Sequence, residues 1–318
     1  MIMEENFKST KALILENEKL KIIILPEIGG KIASIYNKEK NFELLFQNKE
    51  DNYKKPKLYD NFGDFDGSGF DDAFPTIDES KVLFEGKEVI YPDHGEIWSA
   101  AFNYEVIENG NAASHKNEKI IMWYKSGILP YTYEKSISLI EENLVIDYDI
   151  NNYGKSEFPC IWAMHSLVNC TEDMEINFPK EVKEVVNVHL SSKLGQVNSV
   201  HSYPITRDLN GEEYRLDRVL GVKSKHTEKY YLSGKAKEGK CSIYYPENNI
   251  TYTINFDENK LPYIGLWVTE GGFRGDYNCA LEPANGYYDS IEIAEKNDKV
   301  CILKPKEALK FQLVISLK

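Results

Sequence analysis

Arginine is scarce in this 318-residue chain: only Arg207, Arg215, Arg218 and Arg274 occur, three of them in one short segment. A site that clamps phosphate through guanidinium forks normally uses more. Lysine does not restore the balance. With 38 Lys and Arg against 51 Asp and Glu the formal charge is −13, and there is no basic block. That argues against nucleic acid and against an anionic membrane surface as partners. Five cysteines, an odd number without C-x-x-C spacing, make neither a disulfide framework nor a zinc ribbon. The longest early apolar run, residues 12–15, is too short for a membrane span or a signal-peptide core. Met1-Ile2-Met3-Glu4-Glu5 is acidic where a signal peptide is basic. The expectation is a reduced, soluble, cytoplasmic protein. Also missing are G-x-G-x-x-G, a Walker sequence, G-x-S-x-G and H-E-x-x-H, so nothing points to a nucleotide, a serine nucleophile or a zincin site. No cofactor is expected.

What is present can fill a sizeable core: 42% of residues are hydrophobic and 12% aromatic. Their spacing has period two almost throughout. Leu144, Ile146, Tyr148 and Ile150 alternate with Val145, Asp147 and Asp149, one buried face against one mixed face. Residues 19–25 and 31–36 read as strands across the turn Pro26-Glu27-Ile28-Gly29-Gly30. Further strands are expected at 43–46, 97–107, 119–124, 131–140, 158–169, 241–245, 250–256, 263–269, 300–303 and 309–317; only 212–220 reads as a short helix. With no linker, repeat or crossover helix, the pattern predicts an all-β fold. It is expected to be one large antiparallel β-sandwich domain over residues 1–318.

The richest local cluster is Tyr91-Pro92-Asp93-His94-Gly95-Glu96-Ile97-Trp98. Pro92 fixes its φ and Gly95 permits a positive one, so His94 is expected on a bend before a strand starting near Ile97. The loop 47–80 is too long for a mere connection. As a calcium loop it fails: counting from Asp64, Asp66, Ser68 and Gly69 fall at the third, fifth and sixth places, but the twelfth is Pro75. Within it, Gly69-Phe70-Asp71-Asp72-Ala73-Phe74-Pro75 sets two carboxylates among aromatics, which suits the hydroxyls and apolar face of a sugar. His94 and Glu96 have H-x-E spacing, yet no second His stands two residues on, so no metal site is expected.

General acid–base work by His and Glu remains. His165 lies in Ile161-Trp162-Ala163-Met164-His165-Ser166-Leu167-Val168-Asn169 and Glu282 in Leu281-Glu282-Pro283, both on strand-like sequence. Singly, His165 reads as an ordinary core histidine and Glu282 as a solvated strand residue. Together with Pro26-Glu27-Ile28-Gly29-Gly30-Lys31-Ile32, His94-Gly95 and Leu303-Lys304-Pro305-Lys306-Glu307, these segments resemble, in order and spacing, the aldose 1-epimerase (galactose mutarotase-like) family. His165 to Asn169 is similar to that family's H-x-Y-F-N strand, with Leu167 and Val168 in place of the aromatics.

The resemblance implies a β-supersandwich with an open carbohydrate cleft. It implies Glu282 as general base on the anomeric hydroxyl, His165 as general acid on the ring oxygen, and His94 as a substrate hydrogen-bond donor. Asp71, Asp72, Asn169, Trp267 and Arg274 complete the substrate-binding candidates, with Trp98 or Trp267 offering an indole to the sugar's C–H face. The chain also departs from the pattern. No Asn-Arg pair precedes His94, and only Glu228 stands in for the family's substrate-binding aspartate. The expected partner is a small neutral sugar, the expected assembly a monomer or homodimer. Competing readings are a binding-only carbohydrate sandwich, a hexose-6-phosphate epimerase using Arg274, and a glycoside hydrolase pairing Glu282 with Asp72. The last requires carboxyls roughly 5–10 Å apart across a sugar.

Overall fold

The computed structural model describes residues 1–107 and 118–318. Two antiparallel sheets dominate it. The larger runs Ile2–Phe7, Thr10–Glu16, Leu20–Leu25, Lys31–Asn37, Phe70–Ala73, Ala163–Ser166, Tyr277–Ala284, Tyr263–Glu270, Thr227–Leu232, Glu184–Asn187 and Val200–Ser202. The smaller runs Glu175–Asn177, Lys240–Tyr245, Ile250–Phe256, Ala308–Leu317, Asn143–Asn152, Tyr131–Ile140, Lys119–Lys125 and Asn103–Ile107. One hydrophobic cluster, from Leu13 to Leu317, joins side chains of both sheets. Along Tyr131–Ile140, residues 131, 133, 135, 137 and 139 are buried and their neighbours are not, as period two requires. Burying each large apolar side chain there contributes roughly 1.5–3 kcal/mol.

The buried member that is not apolar is Lys135. Its ammonium lies 2.7 Å from Asp72 Oδ2, and Tyr148 OH donates to Asp72 Oδ1 at 2.9 Å. An unpaired ion between the sheets would cost several kcal/mol, so the pair is obligatory. It pins the strand Phe70–Ala73 onto the smaller sheet.

That strand sits in the middle of the larger sheet, so the stretch expected as one loop from 47 to 80 is interrupted by a core element. Its neighbours come from distant sequence: His165 pairs with Asp71, Ala163 with Ala284, and Gly265 with Glu282. The centre of the sheet therefore collects the side chains of interest from across the chain.

Three further local expectations are corrected. The expected strand 158–169 is three short pieces, because Ile161 N donates to Pro75 O and Trp162 N to Asn285 Oδ1, away from any ladder. The stretch expected as a strand from 97 is a turn before the strand Asn103–Ile107. The expected helix 212–220 holds a strand, Glu213–Arg215, paired with Ile205–Arg207 across a turn where Asp208 accepts from Asn210 N and Glu212 N. The helix that does form is Ile291–Lys296, capped by Ser290, whose side chain accepts from Ile293 N. No helix among the described residues is long and apolar enough to cross a membrane.

Candidate active site

Alternation along three strands delivers one face of the larger sheet to a cavity. Leu281, Leu266, Val268, Tyr230 and Leu232 enter the core, so Glu282, Gly265, Trp267, Lys229 and Tyr231 point the other way. The loops at 61–67, 77–78, 93–94, 188–189 and 273–276 wall off a cavity of about 350 Å³ over that face.

Glu282 lies on its floor, 1% exposed, with neither carboxylate oxygen hydrogen-bonded. Lys229 Nζ stands 3.6 Å from Glu282 Oε2 and 2.7 Å from Asp289 Oδ2, and Tyr231 OH donates to Asp289 Oδ1 at 2.7 Å. Burial pushes the Glu282 carboxyl up to about 7, against the pull of Lys229. Burial alone would lower Lys229, but Asp289 and Glu282 together hold it above its ordinary value. Asp78, at the cavity wall, is raised by burial and by Asp289.

His165 stands one strand over from Glu282, its Nδ1 buried without a partner. Burial, with the neighbouring His94, Lys229 and Lys31, keeps its imidazole well below the ordinary histidine range, so it is neutral near pH 7. Its ring meets those of Phe62 and His94 edge-on, at 5.0 Å and 4.9 Å between centroids.

The His94 turn is built for one geometry. His94 and Gly95 have φ of +57° and +73°, and a Cβ on Gly95 would stand 1.9 Å from Phe74 O, so only glycine fits. His94 Nδ1 is 2.7 Å from Asp93 Oδ1, and Phe62 stacks on the imidazole at 4.0 Å. Asp93 also accepts from Phe62 N at 2.9 Å. Burial works against its charge, but His94 and that amide win and hold its carboxyl below the ordinary range. The contact with Oδ1 fixes Nδ1 as the donor to the Asp93 carboxylate.

His94, His165, Glu282, Trp267 and Arg274 thus share the cavity. Three expected substrate-binding residues do not, and their assignment is corrected. Asp71 is held at 2.6 Å by Lys31, whose ammonium also donates to Ser68 O, and is 2% exposed. Asp72 faces the core in the Lys135 pair, which also removes the glycosidase pairing with Glu282. Asn169 spends its amide on Glu43 O and Leu45 O. Trp98 is core, 3% exposed, its Nε1 donating to Asp93 O. Arg274 lies on the rim, donating to Phe65 O at 2.9 Å and Gly63 O at 3.2 Å.

Reading the sequence missed Lys229, Asp289, Asp78 and Phe62 as cavity residues. Glu228 was the candidate of its strand, but Glu228 turns to the inner face and its neighbour Lys229 to the cavity. Among the described residues no group of three His, Cys, Asp or Glu is placed to hold a metal ion.

Two stretches match family models: residues 4–94, Domain of unknown function (DUF5107), and residues 210–317, Domain of unknown function (DUF4432). No curated protein matches the chain. Solved structures do. A galactose mutarotase-like protein from Clostridium acetobutylicum superposes with a TM-score of 0.68 at 14% identity, over 100% of this chain and 98% of that one. A galactose mutarotase related enzyme from Lactobacillus acidophilus gives 0.65 at 16%, over 96% and 97%. A galactose mutarotase-like protein from Lactobacillus casei gives 0.64 at 16%, over 96% and 100%. At such identities the likeness is one of fold: this chain has the galactose mutarotase-like β-sandwich fold.

Proposed function

We propose that this protein is an aldose 1-epimerase-type isomerase that opens and recloses the hemiacetal ring of a neutral hexose, with Glu282 and His165 as its proton-transferring pair. One observation carries the reading. Neither oxygen of Glu282 nor Nδ1 of His165 has a hydrogen-bond partner within the protein, Glu282 Oε2 meeting only the Lys229 ammonium at 3.6 Å, and both residues line one cavity. Each such group costs about 1–3 kcal/mol in a free protein. A sugar's anomeric hydroxyl and ring oxygen would satisfy them.

Ring opening takes the proton from the O1 hydroxyl, breaks the bond from C1 to the ring oxygen, and puts a proton on that oxygen. Rotation about C1–C2 and the reverse steps give the other anomer. The pair must therefore hold one proton. Below about pH 7 the free protein carries it on Glu282, because burial raises that carboxyl and lowers His165. Glu282 as base and His165 as acid have the same proton count, with the proton passed to the imidazole. His94 orients a hydroxyl, and Trp267 offers its indole face.

A neutral sugar suits the walls. Asp78, Asp93, Asp289 and Glu282 face the cavity, while Lys229 is engaged by Asp289 and Arg274 by loop carbonyls. A phosphate dianion would meet carboxylates and committed cations. The test is anomer exchange on freshly dissolved single anomers of glucose, galactose and glucose 6-phosphate, followed by polarimetry or NMR. Acceleration for a neutral sugar supports the reading. A bound sugar whose anomers exchange no faster, or faster exchange of the phosphate, overturns it.

A further inference from the structure

A second depression of about 190 Å³ adjoins the cavity and shares Gly67, Arg274 and Asp276 with it. Its walls are the amides of Gln47, Asn48 and Asn52, the rings of Phe46 and Phe65, and charges of both signs. Lys49 pairs across it with Asp276 and sets its ammonium 5.6 Å from the Phe46 ring. Arg274 forms the sill between the two spaces, bonded to Gly63 O and Phe65 O on the opposite bank. The bend carrying it is exposed and left-handed at Gly271, Arg274 and Gly275, with φ of +88°, +54° and +69°.

We propose that the cleft takes a reducing oligosaccharide, its reducing-end hexose in the Glu282 cavity and the adjoining sugar in this second depression. The inference rests on the isomerase reading and names its substrate class. A ring-opening site needs only the reducing-end sugar, so nothing in that chemistry calls for the second space. Its lining fits a neutral sugar. The exposed Asn52 amide can both donate and accept, whereas Gln47 spends its Nε2 on Ala33 O and Leu45 O and Asn48 Oδ1 accepts from Glu50 N. Aromatic rings meet C–H faces, and Lys49, Lys54 and Arg274 stand against Glu50, Asp64, Asp66 and Asp276, which selects for neither sign. The first cavity alone lies near the small end of ligand sites, and the pair together reaches the range of larger ligands. The adjoining sugar leaves the cavity toward Arg274, because the two spaces join there.

The experiment compares D-glucose with maltose, cellobiose and lactose, which all present glucose at the reducing end. Affinity is read by titration calorimetry and tryptophan fluorescence, turnover by NMR exchange. At least one disaccharide should bind tenfold or more tighter than glucose. Lys49→Ala and Asn52→Ala, both exposed, should each bring that ratio down toward one. Disaccharides no tighter than glucose, with glucose exchange still accelerated, overturn the second site and leave the isomerase. Equal weakening of glucose and disaccharide by the variants overturns it too. Failure of every sugar to bind overturns both readings.

Discussion

Gly265 lies directly across the sheet from Glu282, and a Cβ at that position would come within 3.1 Å of Glu282 Oε2 and of Tyr231 Cζ. The missing side chain is what gives the carboxylate its place beside Lys229. Gly265→Ala should push Glu282 and Tyr231 by a few tenths of an ångström, costing on the order of 1 kcal/mol by overpacking. Anomer exchange should fall about tenfold, since small displacements of reacting groups are expensive. Thermal unfolding and exchange rates on one preparation check both; unaltered exchange would free Glu282 from the reaction.

Glu282→Gln and His165→Ala should each remove most of the enzymatic exchange while leaving a folded protein, because one general acid or base contributes about 10²–10⁴-fold. Circular dichroism confirms the fold before rates are compared. Folded variants with wild-type rates would move the chemistry to other residues.

Much of this was legible beforehand, for a physical reason: period-two burial is a local property. Leu144, Ile146, Tyr148 and Ile150 are buried with Asp147 and Asp149 more exposed between them, Val145 alone breaking the alternation, and His94, His165 and Glu282 converge on one cavity from the short motifs that carry them. Facing was not legible. Asp71 and Asp72 look equivalent in the chain, yet one pairs with Lys31 and the other enters the core on Lys135, because pleating sends neighbours to opposite faces. Glu228 and Lys229 exchanged roles by the same rule. Asp289 gave no signal at all: a turn after the strand, closed by Tyr231, brings it to the cavity. The hairpin Ile2–Phe7 with Thr10–Glu16 went unread because its outer strand is half exposed and polar.

The pH profile of kcat/KM should be a bell that counts one proton on the pair. The alkaline limb should fall near pH 7, where Glu282 loses its proton, and the acid limb well below 6.5, where His165 gains one. Lys229→Met removes the cation 3.6 Å from Glu282 and leaves Asp289 beside it. The alkaline limb should then move up by roughly a unit or more. A limb that stays put would show that Lys229 does not govern the Glu282 proton.

Stability carries an independent signature of the same carboxyl. Its folded-state value, about 7, lies above the reference of about 4.3 for an unfolded chain. Between those values the folded protein binds more protons than the unfolded one, so this group's contribution is fully present below about pH 4 and is lost as pH rises through 7. The full difference is about 4 kcal/mol, at 1.36 kcal/mol per unit. Glu282→Gln removes it, so the variant should gain on the wild type by up to that amount between pH 4.5 and 8. Other raised carboxyls, such as Glu228 at about 7 and Asp71 at about 6, are common to both proteins and cancel in the comparison. Urea unfolding of the two proteins at both pH values measures the gap. A gap independent of pH would mean that the Glu282 carboxyl titrates as in water, and with it the one-proton pair would fall.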